Sequence, residues 1–228
     1  MIYMLNKIYN MEDFKKFAKD KGVSMSVFDD IVKDINNSYT PVVLEERKMN
    51  VAAMDIYSRM LYDRIIYFGH EFNAETCNLL NAQLLYLSSL DNRDINIYIN
   101  SPGGSIIDGL SSIDVINFIP NSVATTCIGM AASMGSVLLS CGEKGKRFIL
   151  PHGRVMLHEA SSGMRGKFSD MKIELAVTER CQKDIFQILA NNLGKTYEEI
   201  EQICSKDSWY VGEEALQLGI VDKILTKE

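Results

Sequence analysis

A single serine set among glycines and alanines is the first place where this sequence suggests chemistry. Ser133 stands in Gly129-Met130-Ala131-Ala132-Ser133-Met134-Gly135, where an apolar strand predicted over 122–128 gives way to a helix predicted over about 133–141. At such a corner a side chain is exposed beside free backbone N–H groups and the positive end of a helix dipole, which favour a developing anion. Small neighbours let a substrate backbone come close, as at the strand-to-helix elbow of serine hydrolases. The same residue also fits a plain N-cap in a tight turn.

A serine nucleophile needs a base, and the chain has three histidines, His70, His152 and His158. His158 ends the apolar run Val155-Met156-Leu157, which reads as a short buried strand delivering an imidazole at its C-terminal end. A neutral imidazole takes a hydroxyl proton near pH 7 and can return it to a leaving amine. His152 follows Pro151 in a turn and His70 follows Gly69 in a polar connection, so neither is as well placed. A carboxylate must orient the imidazole. Among 30 acidic residues Asp207 is a candidate, between a helix predicted over 197–204 and the apolar Trp209-Tyr210-Val211; an exposed loop aspartate is the alternative. Oxyanion donors are the remaining need. A strand predicted over 95–100 runs into Ser101-Pro102-Gly103-Gly104-Ser105, where two glycines free backbone N–H groups to face a ligand. A phosphate-binding loop is the competing reading, but neither GxxxxGK[ST] nor GxGxxG is present.

The elements that must position these residues alternate. After the strand over 95–100 come a helix over about 106–118, the strand and helix around Ser133, and strands near 147–150 and 154–158. This order implies α/β architecture with largely parallel strands and right-handed crossovers. A long helix follows over about 168–193, with Ser169 a possible N-cap. At 228 residues the chain fits one domain with a small appendage. Its net charge of −6 lends no support to nucleic-acid binding, and no apolar run approaches the ~20 residues of a membrane span. Five cysteines, odd in number and without metal-ligand spacing, read as reduced core thiols of a cytoplasmic protein; no metal site is expected. The first residues carry neither the pattern of a secretory leader nor that of a mitochondrial transit peptide. Phe14 and Phe17, then Val27, Phe28, Ile31, Val32 and Ile35, form two helical stripes in a segment that stands apart.

Several stretches in register resemble the proteolytic-subunit family of the Clp proteases, self-compartmentalised serine peptidases. They are Asp55-Ile56-Tyr57-Ser58-Arg59, Tyr98 to Gly104, Gly129 to Gly135, Lys144-Gly145-Lys146-Arg147-Phe148, Arg154 to His158 and Gly219-Ile220-Val221-Asp222. The resemblance implies a crotonase-like, ClpP-type α/β fold: a head of repeated β-β-α units in a superhelix, with a projecting handle helix. It implies Ser133 as nucleophile, His158 as base, Asp207 as the acid member, and the backbone N–H groups of Gly104 and Met134 as oxyanion donors. It divides the chain into an N-terminal extension or propeptide (1–40), an axial gate (41–58) and a peptidase domain (59–228) with its handle at about 168–193. It further implies a tetradecamer of two heptameric rings, a hexameric AAA+ unfoldase that uses the ATP, no cofactor in this chain, and unfolded proteins and short peptides as substrates. Tyr98, Phe118, Phe148 and Leu225 match positions that dock the unfoldase, although core packing accounts for each equally well. After the histidine this chain has Glu159-Ala160 where the family commonly has Gln-Pro. That carboxylate could raise the His158 pKa or simply face solvent. Two other readings stay open at this point: an inactive subunit of a mixed ring, and a crotonase-type acyl-CoA enzyme.

Overall fold

The computed structural model describes residues 2–3, 15–16, 19–20, 24–26, 42–47, 50–161, 163 and 165–227. The helical stripes expected at Phe14, Phe17 and from Val27 to Ile35 lie outside them. Contacts divide the chain into two units, Met1–Asp63 and Arg64–Glu228. In the first, strands β1 (Ile2–Tyr3), β2 (Val42–Arg47) and β3 (Asn50–Asp55) form an antiparallel sheet in that order, followed by helix α1 (Ile56–Tyr62). Asp55 caps α1, accepting the N–H groups of Tyr57 and Ser58 at 3.0 Å.

The second unit grows from apolar alternation. Strand β5 (Ile95–Ser101) buries Ile95, Ile97 and Ile99 completely on one face and turns Asn96 and Tyr98 to the other. It pairs in parallel with β4 (Ile65–Phe68) on one side and with β6 (Val123–Ala132) on the other. Helix α2 (Ala74–Leu90) opens with a reciprocal Asn73–Thr76 capping box and buries Cys77, Leu80, Leu84 and Leu87 along one stripe. Each such leucine contributes about 2 kcal/mol through the area it removes from water. Helix α3 (Ile106–Phe118) is capped by Ser105 and buries Ile113 and Ile116. The buried Arg64 guanidinium closes the turn between α2 and β5, donating to the carbonyls of Leu87, Arg93 and Asp94.

Strand β6 is longer than the pattern over 122–128 predicts. It runs on through Gly129-Met130-Ala131-Ala132 because a new partner takes over. Its first half pairs with β7 (Arg147–Ile149), and its second half with β8 (Arg154–Leu157). Helix α4 (Met134–Ser140) follows at once, and all seven of its residues are buried. Beyond β8 come the 26-residue helix α5 (Phe168–Leu193), α6 (Tyr197–Cys204), β9 (Ser208–Val211), α7 (Gly212–Leu218) and β10 (Lys223–Ile224). The seven-stranded sheet has the order β10-β7-β6-β5-β4, with β8 on β6 and β9 antiparallel to β8. This is the α/β, mostly parallel arrangement expected. The long helix begins at Phe168 with Lys167 in the cap position, so Ser169 is not its N-cap; the Ser169 hydroxyl donates to Asp170 instead. All five cysteines are free thiols, and burial pushes those of Cys127, Cys141 and Cys204 up to about 11. No helix of the described residues is long and apolar enough to cross a membrane.

The β7–β10 edge is locked by Arg147, 3% exposed, whose guanidinium meets both carboxylate oxygens of Asp222 at 3.0 and 2.6 Å and the Asn192 carbonyl at 2.9 Å. Partial burial pushes the Asp222 carboxyl up, but the hydrogen bonds from Arg147 outweigh it and hold the group below the ordinary aspartate range. Removing one partner strands the other charge, so Arg147→Ala should cost about 3 kcal/mol in chemical denaturation. Because the folded pKa is lowered, the carboxylate's contribution is complete above the unfolded value of about 4 and is lost as pH falls below it. Asp222→Asn should therefore flatten the acid limb of stability against pH while leaving its shape above pH 5 unchanged.

Candidate active site

Strand register alone brings the three candidate side chains together. Ala132 of β6 stands level with Met156 of β8, and the Ser133 N–H donates to the Met156 carbonyl at 2.9 Å. The next steps past the two strand ends are Ser133 and, just beyond Leu157, His158. On the other side of β8, Leu157 faces Ser208 of antiparallel β9, so one step further His158 faces Asp207. His158 Nε2 lies 2.8 Å from Ser133 Oγ, and His158 Nδ1 lies 3.4 Å from Asp207 Oδ1. With the Nδ1 proton toward the carboxylate, Nε2 is free to accept from the serine. The His158 side chain is 23% exposed and that of Asp207 69%. The carboxylate is therefore loosely held and well solvated. His70 and His152 are exposed on connections and are not drawn into this site.

Ser133 is not a conventional N-cap. It precedes α4, yet its side chain makes no capping bond, and its backbone sits at φ 52°, ψ −122°. A non-glycine residue at positive φ costs on the order of 1–3 kcal/mol and persists only where neighbours enforce it. The enforcing contacts are visible: the Ser133 N–H is held by Met156, and its carbonyl accepts from the Ser136 hydroxyl at 2.6 Å. The strain turns Oγ out of the strand toward the imidazole.

The glycine loop is built against this corner. Gly103 has φ 96°, and a Cβ there would lie 2.6 Å from Ser133 Cβ and 3.0 Å from the Met134 nitrogen. Gly104 has φ 141°, and a Cβ there would meet the Phe72 carbonyl oxygen at 2.4 Å. Phe72 donates to the Gly103 carbonyl and accepts from the Ser105 N–H, each at 2.8 Å. In such a parallel bridge the residue between, Gly104, turns its own N–H away from Phe72. Met134 is the first residue of α4, whose N–H has no partner within the helix. Gly104, Ser133, Met134 and His158 all line one open cleft, walled by Val137, Leu157, Ile185, Phe186 and Leu189. Glu159 is exposed at the rim of that cleft.

Sequence reasoning missed some supporting groups. The buried Ser101 hydroxyl donates to the His70 carbonyl and accepts the Gly103 N–H, tying the loop to the strand before it. Asn100 Oδ1 accepts the Met130 N–H at 3.0 Å where the β5–β6 register shifts. Both sit in the Asn100-Ser101-Pro102-Gly103-Gly104 motif, where a polar pair before glycines was the available signal. Gln182, on the wall of the cleft, was masked by its place in a long polar helix. Of the docking candidates, Tyr98 and Phe148 are half-buried and share one sheet face, level across Thr126, with Tyr67 continuing the row on β4. Leu225 is half-buried just past β10, and Phe118 is 80% exposed at the end of α3. None of the four is a fully buried core residue. Among the described residues no cluster of His, Cys, Asp or Glu could hold a metal ion.

Residues 47–228 match the family model described as Clp protease. An ATP-dependent Clp protease proteolytic subunit from Porphyromonas gingivalis is 45% identical over 219 residues, 95% of this chain and 99% of that protein. Proteins of the same name from Bacteroides fragilis and Bacteroides thetaiotaomicron are 44% and 42% identical, each over 96% of this chain and 100% of the relative. The chain belongs to the Clp protease family. That membership makes it a serine endopeptidase.

If the Gly104 N–H binds the oxyanion, Gly104→Ala should disturb it through the local clash with the Phe72 backbone. Peptide hydrolysis should fall at least about a hundredfold, the usual cost of losing one oxyanion donor, with the circular dichroism spectrum unchanged. Retained activity would remove Gly104 from that role.

Proposed function

We propose that Ser133, His158 and Asp207 hydrolyse peptide bonds through an acyl-enzyme. Ser133 Oγ attacks the scissile carbonyl carbon as its proton passes to His158 Nε2. The oxyanion is met by the N–H groups of Gly104 and Met134, and the imidazolium then gives its proton to the departing amine. Water repeats the sequence on the ester. The observation that carries this reading is the 2.8 Å contact between His158 Nε2 and Ser133 Oγ at a strained elbow. The chemistry asks for no metal or nucleotide in this chain. The apolar walls of the cleft favour an apolar side chain beside the cleaved bond.

The wider reading has the crotonase-like superhelical head, with residues 59–228 as the peptidase domain, 41–58 as an axial gate and 1–40 as an extension or propeptide. Its handle is the long helix α5. The first half of α5 supports an assembly role: Phe168, Ile173, Leu175 and Val177 are 71, 65, 49 and 43% exposed, which a lone chain gains nothing by presenting to water. The assembly proposed is a tetradecamer of two heptameric rings in the cytoplasm. A hexameric AAA+ unfoldase that uses ATP would feed it unfolded proteins, docking at Tyr98, Phe118, Phe148 and Leu225. The relatives' name, ATP-dependent Clp protease proteolytic subunit, supports that partnership.

A fluorophosphonate probe followed by intact and native mass spectrometry tests the reading. The expected result is one adduct per chain, absent in Ser133→Ala, on a particle of about fourteen subunits. A correctly assembled particle that takes no adduct would overturn the assignment of Ser133.

A further inference from the structure

Strand β8 ends at Leu157, and the chain beyond His158 leaves the sheet. Register fixes the imidazole's backbone on its N-terminal side only. On its C-terminal side, the Ala160 N–H donates to Gln182 Oε1 of α5 at 2.9 Å. Among the described residues this is the one hydrogen bond made by residues 159–161. On the Nδ1 side the ring meets Asp207 Oδ1 at 3.4 Å, a carboxylate that is 69% exposed. The N–H exists because residue 160 is alanine; a proline there would have none. Gln182 is itself held from below, since Ile185, Phe186 and Leu189 on its helix are buried in the core. It also lines the same cleft as Ser133 and His158.

We propose that Gln182 is a positioning residue for His158, clamping the segment just after the imidazole to the buried half of α5 and so keeping Nε2 within reach of Ser133 Oγ. The proposal rests on the reading of Ser133 and His158 as the reacting pair. The donor requires an oxygen acceptor, which fixes the orientation of the Gln182 amide. Loss of the clamp lets the imidazole drift, and drift of this kind lowers turnover before it lowers substrate binding.

The test is steady-state hydrolysis of a fluorogenic peptide by the assembled protein, with the fluorophosphonate labelling rate recorded alongside. Gln182→Leu removes the acceptor and should lower kcat about five- to tenfold, the worth of one hydrogen bond, with KM within about twofold. Gln182→Glu keeps an acceptor oxygen and should hold kcat within about twofold of wild type. Ala160→Pro removes the donor instead, and should reproduce the Gln182→Leu loss and add nothing to it in the double variant. Undiminished kcat in Gln182→Leu beside an active, labelled wild type would overturn the proposal alone. So would losses that multiply in the double variant, or a Gln182→Glu enzyme no better than Gln182→Leu. A wild type that is neither labelled nor active would overturn the serine assignment, and this proposal with it.

Discussion

The site depends on β8 being shared between two neighbours. Its parallel pairing with the second half of β6 sets Ser133 beside His158, and its antiparallel pairing with β9 sets His158 beside Asp207. A slip of one residue on either side would turn every side chain to the other face and dissolve the constellation. Three residues far apart in sequence are thus assembled by backbone hydrogen bonds that owe nothing to their own side chains. This explains why β6 is so long: its first half belongs to β7 and the structural edge, its second half to β8 and the chemistry.

Backbone strain is the second requirement, and it is met by absence of side chains. Ser133 can hold φ 52° only while its carbonyl and N–H are both engaged and no neighbour crowds the turn. Gly103 packs directly against it, leaving no room for a Cβ, and Gly104 lies as closely on Phe72. The Ser101 hydroxyl then ties this loop to the backbone of His70. Sheet, elbow and loop are one rigid arrangement, so the groups that would meet a transition state need little reorganisation to do so.

Much of this was legible in the residues. Strict alternation in Ile95 to Asn100 announced a strand with one buried face, and the glycine pair after it announced a turn with free N–H groups. The end of β6 was not legible, because Gly129, Ala131 and Ala132 carry no periodic signal, and it is pairing with β8 and with Ser101 of β5 that makes this end strand. The bounds of α5 were legible but its cap was not: serine is a good cap wherever one is needed, yet Lys167 occupies the position and no side chain caps the helix at all. The Ser133–His158 contact could be argued from residue types, whereas its distance could not, since the distance comes from register. Gln182 was invisible because a glutamine in a charged helix looks like solvent-facing surface until the chain that it touches is placed.

Two aspartates show how differently the same carboxylate is used in one fold. Asp222 accepts from the backbone of Gly145 and Arg147 and from the Arg147 guanidinium, four hydrogen bonds that make it a fixed strut. Among the described residues the Asp207 carboxylate has one ion-pair contact, at 3.4 Å, and it remains in water, where the attraction between unit charges 4 Å apart is only about 1 kcal/mol against about 4 at a partly shielded surface. A solvated Asp207 can favour one imidazole tautomer and soften the charge on an imidazolium, while holding the ring only loosely. Aim is therefore shared with the backbone on either side of His158, with the β8 register before it and, on the proposed reading, with the Ala160 anchor after it. Anything that covered Asp207 and excluded water would strengthen its hold on the imidazole several-fold without moving an atom of the sheet.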